Sequence, residues 1–167
     1  MPELMIRPRT DSDMPACVDA LATVHEAEHY PVQWPADPVR WLTPDGLLGA
    51  WVATNGPLVL GHVVLRRAGR DGANAVGLTP VRLAAVARLF VRVGARREGV
   101  ASRLLQAATA DAATSGLRLM LEVEAGAAPA IALYERSGWR LMGSATAEWT
   151  AADGRAALVH AYMAPTV

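Results

Sequence analysis

The feature that most constrains the fold is a strand-like run that turns through a glycine into a helix-like run. The strand-like run covers 86–93, the turn reads Arg-Arg-Glu-Gly-Val-Ala-Ser over 96–102, and the helix-like run covers 100–115. A strand followed by a helix is a unit of α/β proteins. The first N–H groups of such a helix lack partners within it and carry partial positive charge, so they suit a phosphate. Gly99 permits close approach and the two arginines supply forked donors. We therefore predict an anion site here, with an ordinary strand-to-helix turn and solvated arginines as the alternative.

Hydropathy patterns outside this turn predict the remaining elements. We predict strands at 4–9, 48–54, 58–67, 82–93, 117–124, 139–149 and 156–163. Helices are predicted up to 29, at 39–42, at 100–115 and at 128–137, and the Gly-, Asn- and Asp-rich stretch 68–80 is predicted to be an exposed loop. Asp11 or Ser12 is expected to cap the first helix. The alternation of strands and helices predicts a single α/β domain with a sheet of mixed direction.

Composition excludes several classes of protein. Of 167 residues, 52% are hydrophobic and 19% are charged, which predicts a packed core in one domain rather than disorder. No apolar run approaches the roughly 20 residues that a membrane span needs, and the N-terminus lacks a signal-peptide pattern. We therefore expect a cytoplasmic protein with no membrane partner. The formal net charge is zero, which argues against a nucleic-acid partner. The single cysteine, Cys17, excludes an intramolecular disulfide and a thiolate zinc cluster.

Two segments carry a family resemblance when they are taken together. The first is Arg-Arg-Glu-Gly-Val-Ala at 96–101, after Leu-Phe-Val at 89–91, and the second is Leu-Glu-Val at 121–123 with Ala-Ile-Ala-Leu-Tyr-Glu-Arg-Ser-Gly-Trp at 130–139. They resemble the pyrophosphate loop (Arg/Gln-x-x-Gly-x-Gly/Ala) and the Ala-Ile-x-Leu-Tyr-Glu-x-x-Gly-Phe signature of the GNAT superfamily of acyl-CoA N-acetyltransferases, with Trp139 where phenylalanine is usual. Leu-Glu-Val placed shortly before the tyrosine is also similar to the branch that acetylates ribosomal-protein N-termini.

The resemblance implies a fold for the whole chain. It implies a single GNAT-like N-acetyltransferase domain over 1–167, an α/β fold with a mixed, mostly antiparallel twisted sheet of about seven strands and helices on both faces. Strands 4 and 5 are expected to splay at a bulge near Arg92 or Val93, because bulges bend strands near active sites. The backbone of Phe90, Val91 and Val93 would then pair with the pantetheine arm, whose amides can bond a strand edge as another strand would.

Acetyl-CoA is the cofactor that the resemblance implies, and no metal is implied. The residues implied to contact the cofactor are Phe90, Val91, Arg92, Val93, Arg96, Arg97, Glu98, Gly99, Val100, Ala101, Ser102, Ala127, Ala130 and Tyr134. Ala127 departs from the family pattern, because an asparagine that helps to hold the pantetheine often stands there. That contact is therefore absent or supplied by another residue.

Two residues are candidates for the chemistry. Tyr134 is implied to hydrogen-bond or protonate the thiolate that leaves when an amine attacks the thioester, and the alternative is a half-buried core aromatic. Glu122 alternates with apolar neighbours along its strand, and beside the splay it would take the amine proton directly or through water. The alternative for Glu122 is a strand carboxylate satisfied by an arginine such as Arg88 or Arg118. His62, within a predicted strand, is expected to be a hydrogen-bonded core or surface histidine.

The end of the predicted first helix contains a competing motif. His25-Glu26-Ala27-Glu28-His29 matches the His-Glu-x-x-His pattern of zinc proteases. Pro31 places the pair at the helix end and no convincing third ligand follows, so we predict no metal. A solvated polar helix end is one alternative, and the resemblance supplies another, because this region usually lines the acceptor pocket. The residues implied to contact the acceptor are His25, Glu26, Glu28, His29, Tyr30 and Trp34, and the acids among them would favour a cationic acceptor.

The sequence thus predicts an enzyme that transfers an acetyl group from acetyl-CoA to a primary amine by direct attack on the thioester. The acceptor is a small amine or a protein N-terminus, and a homodimer is left open. The alternative is an acyl-CoA-binding module of the same fold without turnover. It is prompted by Ala127 and by Ala87, which stands where many family members carry a glutamate base.

Overall fold

Seven strands form one sheet, in the order β1-β2-β3-β4-β5-β7-β6, in the computed structural model, which describes residues 3–96, 98–151 and 153–165. The strands are β1 (Leu4–Pro8), β2 (Leu47–Asn55), β3 (Leu58–Arg67), β4 (Leu83–Val91), β5 (Arg118–Glu124), β6 (Arg140–Thr150) and β7 (Ala156–Met163). Neighbouring strands are antiparallel except for the parallel pair β4 and β5. The predicted single α/β domain with a mixed, mostly antiparallel sheet is confirmed.

Helices cover both faces of this sheet, as predicted. In the described ranges they are α1 (Met14–Glu28), α2 (Pro38–Trp41), α3 (Arg70–Val76), α4 (Val100–Thr114) and α5 (Ala128–Arg136). Consecutive strand residues point to opposite faces: Ala53 packs in the cluster of α4 and α5, whereas Val52 packs in that of α1. Met120 likewise packs with α3 while Leu121 packs with α4. None of the helices in these ranges has the length and apolar character that a bilayer span requires.

The start of α1 differs from the prediction. A 3-10 turn at Asp11–Asp13 precedes the helix, so neither Asp11 nor Ser12 caps α1. The buried carboxylate of Asp13 accepts bonds from the N–H and hydroxyl of Thr10 at 2.7 and 3.0 Å, and from the guanidinium of Arg7 at 2.7 and 2.8 Å. The bond from Arg7 is the main reason that the pKa of Asp13 lies well below its usual value. This partner comes from β1, which a pattern of local capping residues does not reveal.

The stretch 68–80, predicted to be an exposed loop, contains α3, and that prediction was wrong. Gly72, Ala73 and Val76 are buried, and the last two pack with Met120 in the cluster beneath α3. Gly77 ends the helix in the left-handed conformation with φ +72. Glycine and asparagine have low helix propensity, but burial of one face against a sheet stabilises a helix that is too short to persist alone.

The strands β4 and β5 separate partway along their length. They pair as far as Val86 opposite Leu121, yet β4 continues to Val91 and β5 continues to Glu124. Beyond Val86 the backbones of the two strands therefore no longer pair with each other. The predicted splay between strands 4 and 5 is confirmed.

The bulge in β4 lies closer to the middle of the strand than predicted. The register between β3 and β4 shifts between His62 and Val64, and Arg88 on the opposite strand has φ +53. The predicted position near Arg92 or Val93 was wrong. A bulge is set by the local backbone, and a left-handed arginine is uncommon enough that no residue pattern marks it.

Gly61 on β3 allows α4 to approach the sheet closely. A Cβ at this position would lie 2.9 Å from Cδ1 of Leu104, 3.0 Å from Cγ1 of Val100 and 3.0 Å from the carbonyl oxygen of Phe90. No side chain fits at those distances without a shift of its neighbours. The absence of a side chain therefore fixes where the first turn of α4 lies relative to β4.

Candidate active site

The gap between β4 and β5 leaves one backbone edge of β4 without a strand beside it. Phe90 and Val91 are buried at the end of β4, and their other edge pairs with His62 and Gly61 of β3. A ligand that contains amides can bond a strand edge of this kind. Phe90 and Val91 thus lie where the sequence analysis expects a pantetheine arm.

The loop after β4 turns tightly towards α4. The N–H of Arg92 donates to the Leu60 carbonyl at 2.7 Å, and the N–H of Ala95 donates to the Arg92 carbonyl at 3.0 Å. The N–H of Val93 donates to the hydroxyl of Thr23 on α1 at 3.2 Å. This bond occupies the Val93 N–H that the resemblance implied for the pantetheine, so in this state Val93 links the loop to α1.

The N-terminus of α4 is open. Gly99 precedes the helix with φ +74, in the left-handed region that favours glycine, and a Cβ built on it would meet no atom within 4 Å. The N–H groups of Val100, Ala101 and Ser102 belong to the first turn and have no carbonyl partners within the helix. Among the described residues no side chain caps this end. The first turn therefore presents unpaired donors and the positive end of the helix dipole, which suit an anion.

The side chain of Arg96 is engaged next to this site. Its guanidinium donates to both carboxylate oxygens of Glu28 at 2.7 and 3.1 Å and to the Val91 carbonyl at 3.0 and 3.1 Å. Glu28 was expected to face the acceptor, but it lies beside the loop and its charge is compensated. The pair is partly exposed, so exchanging it for another partner costs little. Glu98 is exposed, and Arg97 lies outside the described residues.

Ala127 and Ala130 lie at the start of α5. Ala127 precedes the helix, and its carbonyl accepts the N–H of Ile131 at 3.0 Å. Both alanines are half-buried and pack against the core cluster beneath α4. A methyl side chain offers no hydrogen bond, so these positions have only backbone groups and apolar contact to offer a ligand.

Tyr134 lies on α5 and is 7% exposed. Its ring lies 6.1 Å from that of Trp139 and 6.3 Å from that of Tyr162. Burial raises the pKa of its phenol, and the nearby Tyr30 raises this pKa further. Within the described part of the chain its hydroxyl has no hydrogen-bond partner. Because no fully buried polar side-chain atom there is left unpaired, this hydroxyl reaches an accessible opening and is available as a donor.

Glu122 lies on β5 just beyond the last residue that pairs with β4, and it is exposed. Its apolar neighbours on β5 face α4, so its side chain projects to the other face, as the alternation predicts. There Oε1 lies 3.0 Å from the position that a Cβ on Gly72 of α3 would take. In residues 3–96, 98–151 and 153–165 no ion pair joins it to Arg88 or Arg118, so the alternative of a carboxylate satisfied by either arginine is not found. Tyr134 and Glu122 flank the gap from opposite faces of the sheet.

The end of α1 and the loop after it bring together some of the residues that were expected to contact the acceptor. The ring of His25 lies 5.3 Å from that of Trp34, and the ring of Tyr30 lies 6.0 Å from that of Trp41, edge-on. Burial raises the pKa of Tyr30 to about 12. Tyr30 packs against the cluster beneath α1, so it lies on the α1 side of the sheet.

The histidine motif does not have the geometry of a zinc site. The helix ends at Glu28, and His29 follows in the left-handed conformation with φ +59. Nδ1 of His25 lies 2.6 Å from the Pro31 carbonyl oxygen, and Glu26 and His29 are exposed. Across the described residues no group of three or more His, Cys, Asp or Glu side chains is arranged to hold a metal ion.

Arg88 and Trp41 also lie in this region, although Arg88 was expected only as a possible partner for Glu122 and Trp41 was not expected to contribute. The Arg88 guanidinium lies 4.0 Å from the centre of the Trp41 ring, and its Nε donates to the Trp41 carbonyl at 2.9 Å. Arg88 is half-buried on the bulge of β4. No sequence signal indicated this contact, because it depends on the left-handed backbone at the bulge.

His62 fixes the backbone of the bulge from β3. It is fully buried, its Nδ1 lies 2.9 Å from the Arg88 carbonyl oxygen, and its Nε2 lies 2.8 Å from Nη1 of Arg9. Arginine can only donate, so Nε2 is the acceptor and Nδ1 carries the proton. Burial is the main cause that lowers the pKa of His62 to about 4. The expectation of a hydrogen-bonded core histidine is confirmed.

Comparisons with known proteins agree with this geometry. The model of the acetyltransferase (GNAT) family matches residues 15–139, whereas no curated protein matches the sequence. The solved ribosomal-protein-S18-alanine N-acetyltransferase from Escherichia coli superposes with a TM-score of 0.74 at 19% identity, covering 98% of this chain and 94% of that one. The ribosomal-protein-alanine N-acetyltransferase from Brucella melitensis gives 0.71 at 23% identity, covering 96% and 98%. The Salmonella typhimurium protein yncA, determined with its cofactor acetyl-CoA, gives 0.73 at 17% identity, covering 96% and 92%.

At these identities the solved structures establish the fold alone. The family model matches most of the sequence and therefore establishes the family. The splayed strands, the open N-terminus of α4 and the tyrosine on α5 lie inside the matched range. The chain therefore belongs to the GNAT family of acetyltransferases.

Proposed function

We propose that the protein transfers an acetyl group from acetyl-CoA to a primary amine, which is that of a small molecule or of a protein N-terminus. The observation that carries this proposal is the gap between β4 and β5, together with the open N-terminus of α4 and a Tyr134 hydroxyl that has no hydrogen-bond partner among the described residues. Membership of an acetyltransferase family supports acyl transfer. The yncA structure with acetyl-CoA supports this donor. We place the reaction in the cytoplasm, as the sequence predicts.

The donor would lie along β4 with its pyrophosphate on α4. The first-turn N–H groups and the positive helix end supply the anion site without any side chain. The free edge at Phe90 and Val91 would hold the pantetheine amides. This arrangement leads the thioester into the gap near Tyr134.

The chemistry requires one proton to leave the amine and one to reach the sulfur. The amine nitrogen forms a bond to the thioester carbonyl carbon, the C–S bond breaks, and its electron pair goes to the sulfur. Tyr134 would stabilise or protonate this thiolate, because burial raises its pKa and keeps the phenol neutral. Glu122, on the opposite face of the gap, would accept the amine proton directly or through water.

The proposal is tested by calorimetric titration with acetyl-CoA and by free-thiol detection with a panel of amines and peptides. Tyr134→Phe should lower the turnover rate while leaving acetyl-CoA affinity nearly unchanged. Tyr162→Phe is the matched control, because it removes a phenol from the same aromatic cluster whose hydroxyl faces Glu135 at 3.3 Å. No binding of acetyl-CoA at millimolar concentration would refute the proposal, and unaltered turnover in Tyr134→Phe would remove the role of this residue.

The second candidate is an acyl-CoA-binding module without turnover. It is favoured by Ala87, which places a methyl group at the bulge where many family members carry a glutamate base, and by Ala127. Acetyl-CoA binding without thiol release across the whole panel would support this function over catalysis.

A further inference from the structure

The bulge on β4 presents a cation on the α1 side of the gap, where Tyr30 and Trp41 lie. Arg88 lies just after Val86, where β4 and β5 part, and has φ +53. Its backbone carbonyl is bonded by the buried His62, and its guanidinium lies over the Trp41 ring with Nε bonded to the Trp41 carbonyl. Bulge, histidine and tryptophan together keep this side chain in one place.

The terminal nitrogens of Arg88 are available to a ligand. Trp41 uses Nε only, and among the described residues no acceptor is bonded to Nη1 or Nη2. Because no fully buried polar side-chain atom in this part of the chain is unpaired, both nitrogens reach an accessible surface. Two parallel N–H groups of this kind match the two oxygens of a carboxylate.

Within residues 3–96, 98–151 and 153–165 no carboxylate forms an ion pair with Arg88. Burial lowers its pKa, Tyr30 raises it and Arg66 lowers it, and no Asp or Glu contributes. Arginine nevertheless stays protonated at neutral pH. Glu28, an acid expected to attract a cationic acceptor, is paired with Arg96. A carboxylate bound at Arg88 would therefore meet a cation that no described carboxylate pairs with.

The cation also lies close to the reacting groups. Arg88 lies on the stretch of β4 beyond Val86 that β5 does not pair with, shortly before Phe90 and Val91. A molecule held at Arg88 beside Tyr30 and Trp41 would therefore lie next to the strand edge along which the proposed function places the thioester.

We propose that the acceptor is a small amine that carries its own carboxylate, as a free amino acid does, and that the terminal nitrogens of Arg88 bind this carboxylate. The amine then forms the bond to the acetyl carbon, the C–S bond breaks towards the sulfur of coenzyme A, and the amine proton leaves. A peptide N-terminus has a neutral amide where a free amino acid has the carboxylate, so it gains nothing from Arg88. This inference rests on the proposed function and narrows its acceptor.

The test compares matched acceptors by free-thiol release from acetyl-CoA. The acceptors are the standard L-amino acids, the corresponding amino-acid amides and short peptides that begin with the same residues. We expect kcat/KM for the best acid to exceed that for its amide by about tenfold to a hundredfold, the value of a hydrogen-bonded charge pair. Arg88→Gln should bring this ratio close to one and leave acetyl-CoA affinity unchanged, and Arg88→Lys should retain part of the preference.

Arg66→Gln is the matched control, because it removes an equal charge near Arg88 while its guanidinium bonds only the Arg67 carbonyl among the described residues. This variant should keep the preference for acids. Equal kcat/KM for acids and amides in the wild type, or a preference that survives Arg88→Gln, would overturn the inference while the proposed acetyl transfer stands. If the protein binds acetyl-CoA but releases no thiol with any acceptor of the panel, the proposed function is overturned and this inference with it.

Discussion

Acidification should destabilise this protein through His62 before its carboxylates are protonated. The imidazole is fully buried, and protonation would remove its acceptor for Arg9 and place a second cation beside that guanidinium. A histidine whose pKa is lower in the folded state than in the unfolded state contributes stability above the unfolded pKa. That contribution is lost as the pH falls from the unfolded pKa towards the folded one.

The expected loss follows from the two pKa values of His62. The pKa falls from the ordinary 6.5 to about 4 on folding, and each tenfold change in proton affinity is worth about 1.4 kcal/mol. Complete protonation of the folded protein therefore costs roughly 3 kcal/mol. Between about pH 7.5 and about pH 5 the free energy of unfolding should fall by about 2 kcal/mol from this group alone.

Urea unfolding at several pH values in this range measures the effect. His62→Asn keeps a donor for the Arg88 carbonyl, and His62→Gln keeps an acceptor for Arg9, but neither titrates. Each should be less stable than the wild type by about 1–3 kcal/mol near pH 7.5, because one bond of the network is lost. Near pH 5 the difference in free energy of unfolding between the wild type and each variant should be smaller by about 2 kcal/mol, because only the wild type loses stability through this titration. A stability difference that stays constant across this range for both variants would refute the assigned cause.

Three further changes test the packing and the cofactor loop. Gly61→Ala should destabilise the fold by about 1–3 kcal/mol, since the new methyl overlaps α4, and should weaken acetyl-CoA binding measured by calorimetry because the helix N-terminus shifts. Asp13→Asn should lower the free energy of unfolding by about 1–3 kcal/mol at neutral pH, measured in urea, because it weakens the bonds from a charged arginine. Glu28→Gln should tighten acetyl-CoA binding about two- to fivefold by releasing the loop arginine, with a stability change below about 1 kcal/mol.

Matched variants separate these effects from general ones. Gly69→Ala has open space around the new methyl and no positive φ, so it should leave stability and binding nearly unchanged. Glu26→Gln removes an equal exposed charge from the same helix as Glu28 and should not tighten binding. If Gly69→Ala had the same effect as Gly61→Ala, the close approach of α4 to Gly61 would not be the cause. If Glu26→Gln tightened binding as much as Glu28→Gln, the pair with Arg96 would not be the cause. An Asp13→Asn variant as stable as the wild type would contradict the contribution of the Arg7 pair.

Local patterns predicted much of the fold because they reflect short-range physics. The alternating runs indicated the seven strands, and the glycine turn indicated the start of α4 next to Gly99. The failures share a cause, because α3, the turn at Asp13 and the bulge at Arg88 depend on tertiary contacts. A buried face against the sheet, an arginine on β1 and a histidine behind the bulge decided them, and neither propensity nor periodicity contains that information.

The sequence by itself determined the family and the order of the strands, and it predicted the anion site in front of α4, because a strand, a glycine turn and a helix are defined by neighbouring residues. It also indicated Tyr134 and Glu122 from motif and alternation. Tertiary structure alone decided which charged side chains pair. Glu28 pairs with Arg96 beside the loop after β4, and Arg88 lies over Trp41 at a left-handed bulge. Electrostatics depends on distances in space, so the acids near the end of α1 suggested a cationic acceptor, whereas the pairing of Glu28 and the position of Arg88 are the basis of the proposed acceptor with a carboxylate.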